Sequence, residues 1–162
     1  MNTDKHLKEA FAGESQANRK YLAFAKKAEQ EGYIGVAKLF RAAAEAETVH
    51  AHNHLKALGG IKSTAENLKE GFDGEMYEFD TMYPPMLDDA KNEGRKDAER
   101  SFLFAMESEK VHADLYKDAL ENLDSKEDVD YYLCPICGYI EKNSTPDSCP
   151  ICKAKSSVFV KY

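Results

Sequence analysis

The sequence predicts an all-α four-helix bundle followed by a small metal-knuckle module with short β-strands. Three observations carry this reading. Through residue 123 the chain is rich in Ala, Glu, Lys and Leu, and its apolar residues recur at steps of three and four. Glycines at Gly32, Gly59–Gly60 and Gly94 divide that stretch into four segments. All four cysteines fall in the last 30 residues, in two C-x-x-C pairs.

Composition excludes several classes. The chain has 162 residues, 29 acidic against 22 basic, a formal net charge of -7 and a pI of about 5.3. Such a balance argues against nucleic acid or an anionic membrane as principal partner. With 43% hydrophobic residues in a periodic pattern the chain is not disordered. No apolar run approaches the roughly 20 residues of a membrane span. The start, MNTDKHLKEA, has no apolar core of the kind found in a signal peptide. The expected location is therefore the cytoplasm, where paired cysteines suggest metal before disulfide.

The first helix is expected from about Thr3 to Glu31 and the second from about Gly35 to Leu58, with Gly59 closing its C-terminus. Ser63-Thr64-Ala65-Glu66 fits a capping box opening the third segment. Pro84-Pro85 predicts a kink or break within that segment. The fourth helix is expected from about Arg95 to Leu123. An acidic linker, DSKEDVD (124–130), separates the bundle domain, 1–123, from a second domain, 131–162.

The helical region repeats itself. LFRAAAEAETVHAHNHLKAL (39–58) aligns with SFLFAMESEKVHADLYKDAL (101–120) at an offset of 62, matching Phe40 with Phe102, Glu47 with Glu109 and His50 with His112. Upstream, FAGE (11–14) aligns with FDGE (72–75) at an offset of 61. The chain thus reads as a duplicated helix hairpin.

The core-facing stripes are interrupted by polar residues near mid-helix. Helix one gives Ala10, Glu14, Ala17, Tyr21, Phe24 and Ala28; helix two gives Val36, Phe40, Ala43, Glu47, His50 and His54. The third segment gives Leu68, Gly71, Glu75, Glu78 and Met82, and the fourth helix Ala98, Phe102, Ala105, Glu109, His112 and Tyr116. One glutamate on such a stripe is ordinarily a side chain reaching to water. Five converging carboxylates are not, because uncompensated buried charge costs more than folding supplies. Residues three apart on a helix lie about 4.5 Å apart along its axis, so Glu-x-x-His presents an oxygen and a nitrogen to one ion. Glu47/His50 and Glu109/His112, with Glu14 and Glu75 from the other two helices, form the di-iron carboxylate set of ferritin-like bundles. Oxygen and nitrogen donors suit iron or manganese. Glu45, about 200° round the helix from Glu47, faces away, as does its counterpart Glu107. Glu78 stands where the first half has Ala17, so the two metals would be inequivalent. Tyr21 and Tyr83 lie one to two turns beyond the ligands and are candidates either to hydrogen-bond a ligand or to pack.

In the C-terminal module, CPICGY (134–139) and CPIC (149–152) form two knuckles separated by eleven residues. A domain this short lacks a self-sufficient core, and a four-thiolate site at Cys134, Cys137, Cys149 and Cys152 would supply stability. The spacing does not choose between zinc and iron.

With these motifs assembled, the chain resembles the rubrerythrins over nearly its whole length. The likeness rests on AFAGESQANRKY (10–21), AEAETVHA (44–51), GEMYEFDTMYP (74–84) and ESEKVHADLY (107–116), and on a tail similar to a rubredoxin with a shortened central loop. The resemblance implies a di-iron centre held by Glu14, Glu47, His50, Glu75, Glu78, Glu109 and His112, with one iron exchanging Glu78 for His50 on reduction. It implies one further iron on Cys134, Cys137, Cys149 and Cys152. It also implies a peroxidase that reduces hydrogen peroxide to water in defence against oxidative stress. Electrons would pass through the rubredoxin-type iron from an external donor, a rubredoxin or a reductase, since no Gly-rich dinucleotide motif is present. A head-to-tail homodimer is expected, because the short linker would leave the two iron sites of one chain far apart. Competing readings are a ferroxidase or iron-storage protein or a di-iron oxidase on the same bundle, and a binding protein stapled by a zinc ribbon.

Overall fold

The computed structural model describes residues 2–162. Its compact units are Met1–Lys62 and Ser63–Tyr162.

The first unit is a helix hairpin, α1 (Thr3–Gln30) and α2 (Ile34–Ala57). Gly32 turns the chain between them at φ +84°, a backbone state that costs glycine little. Alanine fills the seam: Ala25, Ala28, Ala37, Ala44 and Ala51 are buried. The buried Asn18 crosses that seam, donating from Nδ2 to the Ala44 carbonyl at 2.7 Å and to Thr48 Oγ1 at 2.8 Å. These bonds fix the register of one helix against the other.

The second unit opens with α3 (Thr64–Tyr77), whose N-terminus carries the expected capping box of Ser63 and Glu66. The break expected at the prolines is a π-helical turn, Glu78–Met82, leading into α4 (Tyr83–Asn92) with proline in its first turn. Proline is tolerated there because the first amides of a helix have no partner to lose. Gly94, at φ +69°, turns the chain into α5 (Lys96–Glu121).

The π turn explains the two repeat offsets. Glu14 and Ala17 match Glu75 and Glu78 at 61, whereas Tyr21, Ala25 and Ala28 match Tyr83, Leu87 and Ala90 at 62. Asp80–Met82 stand where the first half has only Arg19 and Lys20. A π turn absorbs one extra residue, so positions on either side keep their faces. Accordingly Ala25 and Ala28 are buried, and so are Leu87 and Ala90. The Asn18–Thr48 bond has a different occupant in the second half: Lys110 Nζ lies 5.7 Å from the Phe79 ring centroid.

The C-terminal module is a three-stranded antiparallel sheet of β1 (Tyr131–Leu133), β2 (Ile140–Lys142) and β3 (Val160–Lys161), in the order β2-β1-β3. Its core is the cysteine cluster with Tyr139, packed against Ile151, Phe159 and, from α5, Phe104 and Val111. Lys142 Nζ reaches Asp118 of α5 at 2.5 Å. Among the described residues no helix is long and apolar enough to cross a membrane.

Replacing Ser63 with Ala removes the cap of α3. Thermal unfolding should report a loss of about 1 kcal/mol.

Candidate metal centres

Among the described residues, three groups of side chains bring potential metal donors within 4.8 Å of one another: Glu14, Glu47 and His50; Glu75, Glu109 and His112; and Cys134, Cys137, Cys149 and Cys152. These ten residues were all named from the sequence. Glu45 and Glu107 are exposed, as their angular positions require.

In the first group His50 Nδ1 lies 3.0 Å from Glu47 and 3.9 Å from Glu14. In the second, His112 Nδ1 lies 2.7 Å from Glu109 and 3.6 Å from Glu75. The two histidines differ in support. The His50 side chain is 54% exposed and that of His112 17%. His112 Nε2 donates to the Gly138 carbonyl at 2.8 Å, which leaves Nδ1 as the ligating nitrogen. The carboxylates are half-buried rather than enclosed as their mid-helix positions suggested. A layer of two helices covers a side chain from one side only.

Several titrations in the second group are shifted from their ordinary values. Burial, a hydrogen bond to Glu109 and its charge raise Glu75 to about 7. Burial also raises Glu109, but hydrogen bonds with His112 and Glu75 outweigh it, and the group settles below the ordinary carboxylate value. Of the two, Glu75 is the carboxyl that holds a proton more readily, hydrogen-bonded to Glu109. His112 is lowered by burial but raised more by Glu109, the Gly138 carbonyl and Glu75. Glu78 belongs to this neighbourhood: burial raises it first, then the charge of Glu109. Tyr83 is raised by burial and by the charges of Glu109, Glu78 and Glu75. Its ring packs on Phe102 at 6.3 Å, as Tyr21 packs on Phe40 at 6.0 Å.

The four cysteines are free thiols. Cys134 Sγ lies 3.6 Å from Cys152 Sγ, and Cys137 Sγ lies 3.5 Å from Cys149 Sγ. A disulfide would bring two sulfurs to about 2 Å. A tetrahedral ion with bonds of about 2.3 Å sets its sulfurs slightly under 4 Å apart, so the cluster fits a metal. The knuckles close alike, Gly138 N–H on the Cys134 carbonyl and Lys153 N–H on the Cys149 carbonyl. Gly138 and Lys153 both take positive φ, +91° and +63°. Burial raises Cys149, but backbone N–H groups of Cys152 and Ile151 aimed at its sulfur bring it below the usual thiol value.

The module meets α5 of its own chain, against the separation expected from the linker. Ser108, fully buried, donates from Oγ to the Cys137 carbonyl at 2.9 Å, one turn before His112 reaches Gly138. Sequence reading missed Ser108. Its only trace is that Ala46 occupies the equivalent position in the first half. A cavity of about 520 Å³ lies against the second group, lined by Glu75, His112, Leu68, Leu115, Tyr116 and Ile140 among others.

Comparison with known proteins agrees with both regions. The family model described as Rubrerythrin matches residues 5–120, and that described as Rubrerythrin, rubredoxin-like domain, matches residues 132–160. The chain belongs to the rubrerythrin family. It is 34% identical to Rubrerythrin-2 of Clostridium acetobutylicum, over 99% of this chain and 96% of that protein. It is 37% identical to nigerythrin of Nitratidesulfovibrio vulgaris, over 99% of this chain and 87% of that protein. Among solved structures it resembles nigerythrin in its mixed-valence state, with 38% identity, 99% and 86% coverage and a TM-score of 0.61. Nigerythrin in its fully reduced, all-ferrous state gives 37% identity and a TM-score of 0.62. As a rubrerythrin the chain has a ferritin-like helical fold. It carries a di-iron carboxylate and histidine site, whose donors are Glu14, Glu47, His50, Glu75, Glu109 and His112, and a four-cysteine rubredoxin-like knuckle.

The titrations predict a pH dependence for the metal-free protein. Glu75 and His112 are both raised, so their stabilising contributions are complete below the unfolded values of 4.5 and 6.5. That of Glu75 fades as pH rises through about 7, and that of His112 is lost above its ordinary range. The lowered Glu109 acts in the opposite sense, but only below about 4.5. Scanning calorimetry of metal-free protein should therefore show Tm falling from pH 5.5 to 8, and falling less in Glu75→Gln.

Proposed function

We propose that this rubrerythrin is a peroxidase that reduces hydrogen peroxide to two waters, consuming two electrons and two protons. The observation that carries the reading is the direct contact between the cysteine knuckle and the carboxylate–histidine group, Gly138 carbonyl on His112. A knuckle that served only as a staple has no need to touch a metal ligand.

When bound, the two irons supply the electrons and stabilise charge developing on oxygen as the O–O bond breaks. The residues of the chain do the rest. Glu14, Glu47, His50, Glu75, Glu109 and His112 hold the pair, with Glu78 as an additional carboxylate on one side only. His50, the more exposed histidine, and Glu78 would be the two ligands that exchange as the oxidation state changes. Glu75 has the affinity to hold a proton near neutral pH. Tyr83, kept protonated by its surroundings, can donate a hydrogen bond among the carboxylates. Tyr21 packs as its counterpart in the first half. The largely apolar cavity beside Glu75 and His112 suits a small neutral oxidant. An iron held by Cys134, Cys137, Cys149 and Cys152 would supply one-electron chemistry, and the Gly138 carbonyl on His112 would offer a short bonded path from that knuckle to the carboxylate–histidine group. Electrons would come from an external rubredoxin or reductase in the cytoplasm, where paired cysteines hold metal rather than form disulfides.

Anaerobically reduced protein should be reoxidised much faster by hydrogen peroxide than by dioxygen in stopped-flow absorbance. Faster reoxidation by dioxygen would make the chain an oxidase or ferroxidase, and a colourless tail holding only zinc would end the relay. Glu78→Ala should leave the helical circular dichroism intact and slow peroxide turnover about tenfold or more. Gly138→Ala, strained at φ +91° by about 1–2 kcal/mol, should slow donor-supported turnover more than the single turnover of pre-reduced protein.

A further inference from the structure

The four cysteines of the module differ in cover. Cys134 and Cys149 are fully buried and Cys137 is 9% exposed, whereas Cys152 is only half-buried. Cys137 belongs to the side held by α5, where Ser108 donates to its carbonyl. An electron arriving from outside therefore meets the cluster first at Cys152. The residue that follows Cys152 departs from the pattern of the first knuckle. Both knuckles read C-P-I-C and close with the same backbone hydrogen bond, yet Lys153 stands where the first has Gly138. Lys153 takes φ +63°, in the left-handed region that glycine enters freely and a side chain enters at a cost. Strain kept where the twin loop uses glycine points to what the side chain does, because the turn itself does not need it.

That side chain folds back on its own knuckle. Lys153 Nζ donates to the Pro150 carbonyl at 2.7 Å, which fixes a positive charge there and leaves two of its three N–H donors for another molecule. Lys155, two residues on, is exposed as well. The other lysines of the module are paired, Lys142 with Asp118 and Lys161 with Asp130. Among the described residues neither Lys153 nor Lys155 meets a carboxylate. The basic character is confined to this module. Residues 131–162 hold four lysines against Glu141 and Asp147, whereas residues 1–130 hold 18 basic against 27 acidic residues. The knuckle tips add apolar surface: Pro135 and Pro150 are exposed, and Ile136 is 57% exposed. Apolar residues bordered by unpaired charge are the usual anatomy of a protein interface.

We propose that this face receives an acidic one-electron carrier protein, which packs on the knuckle tips and sets its carboxylates against Lys153 and Lys155. One electron passes from the carrier to ferric iron on the four thiolates. The carrier is oxidised by one electron, the iron becomes ferrous, and no bond forms or breaks. Glu107 and Asp114 of α5, which with Lys110 line the groove beside Pro150 and Ile151, repel the same carrier and favour its approach at the lysines. The proposal rests on the relay reading, since it takes the knuckle as the point of entry.

The test is stopped-flow reduction of the full-length ferric protein by reduced flavodoxin of net negative charge, without peroxide, followed by bleaching of the knuckle's visible band. Two proteins of like net charge should react faster as salt rises, because screening relieves their repulsion. A local basic face reverses that sign, so the second-order rate constant should fall between about 10 mM and 0.3 M salt. Lys153→Gln/Lys155→Gln should lower the rate at low salt about tenfold and abolish the fall. Lys153→Arg should keep the wild-type rate, and Lys153→Gly, which relaxes the turn, should slow it as Lys153→Gln does. Equal rates in wild type and the double variant, or a wild-type rate that rises with salt, overturn the proposal. Loss of self-association in the double variant on sedimentation, with the carrier rate unchanged, would assign the face to a second copy of this chain and overturn it too. A tail isolated with zinc alone has no visible band and ends the relay reading before any carrier is added, so the two failures are distinguishable.

Discussion

Two glutamates and a histidine with donor atoms within 4.8 Å of one another impose the constraint on which the helical region is organised. Such a group carries like charges that repel, and protonation relieves them only in part, as the proton shared between Glu75 and Glu109 illustrates. A dication relieves them fully. The helices must nevertheless hold the donors close before any ion arrives. Alanine does this in the first hairpin by letting α1 and α2 approach closely, with Asn18 fixing their register. In the second unit Gly71 does similar work, admitting the Tyr116 ring where any side chain would be crowded at 3.2 Å. Tight seams of small residues bury little apolar area. The fold thus gives up hydrophobic stability to bring charged donors together and recovers part of it through metal binding.

The rubredoxin-like module stands on this arrangement. Its cysteines supply most of its own core, and Phe104 and Val111 of α5 complete it. Ser108 and His112, one turn apart on the same helix, hold the carbonyls of Cys137 and Gly138. A single hydrogen bond from His112 therefore serves two metals: it selects the ligating nitrogen for one and anchors the knuckle of the other. Chemical change at either site has a covalent and hydrogen-bonded route to its neighbour only a few atoms long.

Much of this was legible in the sequence, because period and spacing are local properties. Glu47 to His50 and Glu109 to His112 are three-residue steps, and the C-x-x-C pairs are equally short. Helix limits were read to within a residue or two where glycine marks them, as at Gly32, Gly59 and Gly94. What escaped depends on three-dimensional neighbours. Ser108 is an unremarkable serine until a carbonyl from a different domain meets it. The half-buried state of the carboxylates depends on how many layers cover them, which no single helix encodes. The break in the third segment was assigned to Pro84–Pro85, yet those residues merely begin α4. The irregularity lies just before them and left its trace in a change of repeat offset from 61 to 62.

That offset has an evolutionary reading. Two copies of one hairpin gene begin with equal ligands and would give a symmetric metal pair with no preferred direction of change. Inserting one codon into an ordinary helix would swing everything beyond it by about 100° and ruin the packing of Leu87 and Ala90. Confined to a π turn, the insertion is silent in the core. It falls within Asp80–Met82, one turn from Glu78, the carboxylate with no counterpart, so the two halves differ in ligand and in backbone at the same place.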